Sequence, residues 1–283
     1  MRLITPVLAC LLAGPLMAQA PFTSFDMASE PFLNDPHDLT IGPDGRLYVA
    51  DKFNNRIAVL DAKTLELVDS FGDGQLRGVH DISFGPDGLA YVAVTGASVV
   101  AVYDVTATPP ELVNAIGRFP NTEGALAHSN GRLYVMVSDT GDLVAYKDEA
   151  IMASAGGMFG AHDVAEAQDG TIWVADNNQR RLMHFTPDLE VIKSLAGPKY
   201  GFVGPRYLDI DDFGRLVVAD QDAHRILLID PVTGDLLGVL GDGRPGIGPG
   251  KFDDPEGIAV HGNSYYIADS DNNRVVSYVV VIN

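Results

Sequence analysis

Three histidines, His37, His80 and His162, open closely similar stretches of this chain, and each is followed by an aspartate: Asp38, Asp81 and Asp163. Aligning the copies through the apolar strand that follows puts Glu123, Arg206 and Glu256 at the same entrance position. Nothing about packing asks for His, Glu or Arg there. Imidazoles and carboxylates converging on one point are the donors of a divalent metal centre. A carboxylate beside a ligating imidazole commonly orients it and raises its basicity. The plainer account of the aspartates is that each caps a strand or accepts a loop amide. The remaining histidines, His128, His184, His224 and His261, fall at turns, in an outer strand or at a variable position, and read as surface or structural residues.

What must position these side chains is a repeat. The stretch PHDLTIGPDGRLYVAD, residues 36–51, returns from Val79, Ala161, Pro205 and Pro255, with a weaker copy from Thr122. Each copy is an alternating strand, a Gly- or Asp-rich turn and a second apolar strand. Short-strand repeats with a period of roughly 40 to 50 residues mean stacked sheets or propeller blades. Six blades are expected, near 34–71, 76–118, 121–156, 159–197, 203–241 and from 252 to the end. The sixth lacks a fourth strand, which residues 22–27 can supply by pairing with it and closing the ring. The one helical candidate, 148–155, is brief and stops at Gly156-Gly157. The fold expected is therefore an all-β, six-bladed propeller. The first strand of each blade lines its channel, so the six entrance side chains should ring one mouth.

Composition narrows the partners. The formal net charge is −19, so a polyanionic partner is disfavoured and no nucleic acid is expected. The same balance argues against an anionic membrane surface. The first twenty residues, with Arg2, an apolar run and a small-residue end at Ala18-Gln19-Ala20, read as a secretory signal peptide. The expected organisation is a signal at 1–20 and one domain at 21–283, periplasmic or secreted, monomeric and not inserted in a membrane once the signal is removed. The single cysteine, Cys10, lies in the signal, so the mature chain has no disulfide.

From Leu240 onward, VLGDGRPGIGPGKFDDPEGIAV followed by YYIADSDNNRVVSY resembles the NHL repeat family. Asp51 with Arg56, Asp176 with Arg181, Asp220 with Arg225 and Asp269 with Arg274 repeat its signature, whereas Val94 and Val137 stand where Asp is expected. Recurrence in most blades suits a structural role, each Asp holding turn amides or its Arg. The Gly-rich run 241–250 lacks the Lys-Ser/Thr ending of a phosphate loop and reads as a connection. Among NHL-like propellers, the His-bearing entrances are similar to peptidyl-hydroxyglycine lyases. That resemblance implies zinc on His37, His80 and His162, with Arg206 and Tyr207 as the catalytic pair on a small or peptidic substrate. The blades concerned, one, two and four, are unequally spaced, unlike that family's alternate blades. Glu123 and Glu256 complete the ring, and Asp38, Asp81 and Asp163 stand behind it. Gluconolactonase-like propellers, with calcium or zinc at the mouth, are a second resemblance, though no matching Asn ring is found. A non-catalytic propeller binding a protein, glycan or small ligand at the same mouth is the competing class.

Overall fold

Alternation of apolar and polar residues, broken at turns such as Pro43-Asp44-Gly45, folds each repeat into a four-stranded antiparallel sheet. In the computed structural model, which describes residues 22–281, the sheets lie at 36–71, 79–117, 122–155, 161–196, 205–240 and 255–280. The last takes its fourth strand from Thr23–Ala28, which pairs antiparallel with Arg274–Val280. The chain is thus an all-β, six-bladed propeller, closed by its amino-terminal strand. The expected signal segment and Cys10 lie outside the described residues.

The brief helical candidate is instead an outer edge strand, Ala150–Ala155, paired with Asp142–Lys147. Its β-branched and small residues satisfy the sheet edge, and too few residues precede the glycine pair for a helix to propagate. The helical segments among the described residues are five three-residue 3-10 turns, one after the second strand of every blade but the third.

Apolar side chains form six clusters, one at each junction between neighbouring blades. At the first, Tyr48 and Phe71 of blade 1 pack with Val92 and Tyr103 of blade 2. Each blade therefore buries its faces only against its neighbours, as in other repeat proteins.

The four signature aspartates are fully buried and do scaffold work. Asp51 accepts the Asn34 amide at 2.8 Å and Arg56 Nε at 2.8 Å. Asp176 likewise takes the amide of Phe159 and the side chain of Arg181. Asp220 takes Val203, Gly204 and Arg225, and Asp269 takes Asp253 and Arg274. In each case an amide three residues ahead of the entrance position, in the loop entering that blade's inner strand, is held, and at Asp220 the amide two residues ahead as well. The signature fixes the loop that delivers the ring residue.

Candidate functional site

The inner strands are Pro36–Ile41, Val79–Phe84, Thr122–Ala127, Ala161–Glu166, Pro205–Ile210 and Pro255–His261. In all six the pairing with the second strand shifts register at the entrance residue, the mark of a β-bulge. A bulge re-aims side chains at a strand end. It explains how both His37 and Asp38 can serve the channel, one at its mouth and one further in. The ring residues stand together at the starts of these strands: His37 lies against His80 and Glu256, Glu123 near His80 and His162, and Arg206 3.8 Å from Glu256.

The ring divides into two groups. In the first, His80 Nδ1 lies 2.8 Å from the Gly78 carbonyl oxygen and 2.7 Å from Thr95 Oγ1, and His162 Nδ1 lies 2.6 Å from the Gly160 carbonyl oxygen. Carbonyl acceptors require a proton on Nδ1, so each Nε2 carries a lone pair. One oxygen lies near both: Glu123 Oε2 is 3.1 Å from His80 Nε2 and 3.6 Å from His162 Nε2, off the hydrogen-bonding line of either nitrogen. Glu123 is buried, and this oxygen has no hydrogen-bond donor. Burial, then the neighbouring His37, pushes the His80 pKa down to about 2. Burial and Arg206 hold His162 well below its usual value. Burial raises the Glu123 carboxyl against the pull of Arg206.

The second group surrounds His37, whose ring lies 4.6 Å from that of His80. Its Nδ1 meets the Tyr207 hydroxyl at 3.2 Å, while Glu256 Oε2 is pressed to 2.8 Å out of hydrogen-bonding line. Its Nε2 is 2.8 Å from Lys52 Nζ and 3.3 Å from Asp35 Oδ2. Burial alone lowers the His37 pKa, but Glu256 and Asp35 outweigh it and the net direction is up. Burial pushes Asp35 up, yet His37 and Lys52 hold it well below the carboxylate range. Asp35, His37 and Glu256 offer three ligand atoms within 4.8 Å of one another, a candidate Asp-His-Glu metal site. The Lys52 ammonium, 3.0 Å from Asp35 Oδ2, already stands in that space. Both nitrogens of His37 are engaged, whereas His80 and His162 each keep one open.

Behind the ring, each aspartate accepts an amide of the next blade: Asp38 from Ile82, Asp81 from Ala125 and Asp163 from Leu208. The imidazoles of His80 and His162 take their orientation from the carbonyls of Gly78 and Gly160, not from these carboxylates. Burial pushes all three aspartates up, Asp163 to about 7, and like charge adds to the rise at Asp38 and Asp81. Where glycine follows the ring residue, space is the reason. A Cβ on Gly124 would lie 2.3 Å from the His162 carbonyl oxygen.

Arg206 Nη1 donates to Gln221 Oε1 at 2.7 Å, and its Nε is buried without a partner. The Tyr207 hydroxyl, fully buried beneath the ring, lies 3.3 Å from the His80 carbonyl oxygen. Burial and Glu256 keep its pKa well above the usual phenol value, so it holds its proton.

The alignment of entrances did not reach Lys52, Thr95 or Gln221. These follow the last residue of the second strand and touch His37, His80 and Arg206 respectively. The signal was available as the variable position after the signature residue, where Lys52, Thr95, Ser138, Asn177, Gln221 and Ser270 line up.

Among solved structures the chain is similar to virginiamycin B lyase from Staphylococcus aureus, with TM-score 0.64 and 12% identity over 90% of this chain and 99% of that one. It is also similar to the PQQ-bound aldose sugar dehydrogenase of Streptomyces coelicolor, with TM-score 0.66 and 14% identity over 92% and 98% of the two chains. The Cps50 (Swd1) β-propeller domain of Myceliophteria thermophila gives TM-score 0.68 and 10% identity over 92% and 100%. At these identities the likeness is one of fold. No curated protein matches the sequence. A family model described as a domain of unknown function, DUF5074, matches residues 36–199, more than half of the chain, and an NHL repeat model matches residues 252–278. The chain therefore belongs to the DUF5074 family, with an NHL repeat as its last blade.

Proposed function

We propose that the mouth is a metal-assisted active centre acting on a small or peptidic substrate in a lyase-like elimination, in a protein exported to the periplasm or beyond. The observation that carries this is the gathering of two open Nε2 atoms, on His80 and His162, around the donorless Glu123 Oε2. Three electron-rich atoms without a proton between them repel one another unless a cation intervenes. With metal–ligand distances of about 2.1 Å, two ligands of a tetrahedral ion stand about 3.4 Å apart. The observed 3.1 and 3.6 Å bracket that edge for each imidazole with Glu123; the two imidazoles must still close on each other to share the ion, since the three ligand atoms already within 4.8 Å of one another are those of Asp35, His37 and Glu256. The approach is also off the hydrogen-bonding line, as it is between atoms that share an ion. Imidazole with carboxylate suits zinc before calcium, and His37 is near enough to be the third imidazole once Lys52 and Tyr207 release it.

When bound, such an ion supplies Lewis acidity to a substrate oxygen. Arg206, with an unpartnered Nε, offers a donor to an anionic substrate group. Tyr207, which keeps its proton, and Glu256 together position His37. One of the similar structures, virginiamycin B lyase, is a lyase by name, which agrees with the reaction class. The apolar segment at 1–20 supports export.

Elemental analysis of the purified protein tests the centre. About one equivalent of divalent metal is expected in the wild type, and little in the variant carrying His37→Ala, His80→Ala and His162→Ala. Equal metal in both sinks the reading. Hydroxyglycine peptides and lactones are the first substrates to screen, the former expected to turn over and the latter not.

A further inference from the structure

Between blades 1, 5 and 6 the mouth opens into a pit of ≈ 430 Å³ walled mainly by polar side chains. Four carboxylates line it, Asp35, Asp254, Glu256 and Asp271, against two cations, Lys52 and Arg206. Both cations are already engaged, Lys52 with Asp35 at 3.0 Å and Arg206 with Gln221 at 2.7 Å. Gln221 Nε2 donates to Asp254 Oδ2 and Glu256 Oε1, both at 2.7 Å. Glu256 is 2% exposed, and its Oε2 is left without a hydrogen-bond donor. Among the described residues no side-chain hydrogen bond engages Asp271. Negative charge and acceptor capacity remain over.

A bare metal ion does not answer this surplus. Among the described residues the ligand atoms that gather within 4.8 Å are those of Asp35, His37 and Glu256, not those of Asp254 and Asp271. At that tight cluster the chain has already placed an ammonium, Lys52 Nζ, which also lies 4.8 Å from the centre of the exposed Phe53 ring. Acceptors spread over an open pit suit a group with several diverging N–H donors.

We infer that the pit docks a ligand's own ammonium group, so that the molecule taken at the mouth carries a primary amine. The inference rests on the mouth being the ligand site and adds the substrate class. The amine can belong to a free diamine or to the lysine side chain of a peptide, and both present the same donor set.

Calorimetric titration tests it with two probe pairs: cadaverine against its N,N′-diacetylated form, and N-terminally acetylated Gly-Lys-Gly against the same blocked peptide acetylated also on the lysine side chain. The amines are expected to bind and their acetylated forms not. Which amine binds more tightly separates the two sources. In the variant Asp254→Asn with Asp271→Asn, affinity falls by about tenfold or more. Asparagine tolerates the left-handed backbone, φ 57°, that Asp254 adopts. The control Asp188→Asn with Asp235→Asn removes two exposed acidic groups elsewhere, each paired to a basic side chain, and leaves affinity unchanged. Equal binding of amine and acetylated forms, no binding of either amine at millimolar concentration, or equal loss in the control overturns the inference. Metal content measured on the same samples keeps the two readings apart. A triple-histidine variant that still binds amine leaves the pit standing even where the metal centre fails.

Discussion

Glu123 Oε2 lies near two imidazoles that give it no donor, and a buried acceptor in that position costs about 1–3 kcal/mol when nothing answers it. On the proposed metal reading, that cost falls on the protein without its ion. Glu123→Gln supplies an N–H to one Nε2, so the metal-free variant is expected to be as stable as the metal-free wild type, or more so by about 1 kcal/mol. A chelator should lower the thermal midpoint of the wild type and leave that of Glu123→Gln unmoved. A chelator shift of equal size in both would count against Glu123 as a ligand. The ring to which it belongs was legible in the sequence, because repeats can be aligned and the entrance is where they differ. Its division into two groups was not. Asp35 and Lys52, which engage His37, sit at positions that the repeat leaves variable, and only the fold shows which blade each side chain faces.

Strands carry the next level of argument. The latch from one inner strand to the next is visible at Asp209, which takes the Val260 amide at 2.7 Å and the Ile210 amide at 2.7 Å. Burial raises its pKa from 3.8 to about 7 against those hydrogen bonds. Between about pH 4 and pH 7 the folded protein therefore holds a proton that the unfolded chain has released. Its contribution to stability is complete below the unfolded value and is lost as pH rises through 7. Asp209→Asn, which keeps an acceptor and cannot titrate, should flatten that part of a thermal-midpoint profile taken from pH 4 to pH 8. Asp220 tests the entrance loop. Its carboxylate holds two amides and Arg225, so Asp220→Ala orphans three donors and should cost about 3 kcal/mol or more in chemical denaturation. The signature aspartates were readable as scaffold from their recurrence. The bulge that lets His37 and Asp38 both serve the channel was not, because a bulge leaves no residue-type mark when the position tolerates His, Glu and Arg alike.

At the scale of the molecule, six interchangeable junctions and one closing sheet hold the ring. Removing Thr23–Ala28 would bare the edge of Arg274–Val280 and half-expose Tyr278, against which Phe25 packs at 5.6 Å. Such a truncation is expected to shift the protein toward aggregates in size-exclusion chromatography, since an open strand edge templates pairing with other chains. The closing sheet also sets an order of events. Ser29 and Val275, joined across it, stand 246 residues apart in sequence. The strand that completes the last blade precedes the inner strands of all six sheets in the chain, and its partner follows the other five sheets. Blades 1 to 5 can assemble locally, but the ring cannot shut until Arg274–Val280 has been made. Contacts this distant form slowly, so Thr23–Ala28 must wait unpaired while the blades between it and Arg274–Val280 are made. A chain stalled before residue 274 is an open propeller with two bare faces, and therefore a natural substrate for chaperones and proteases.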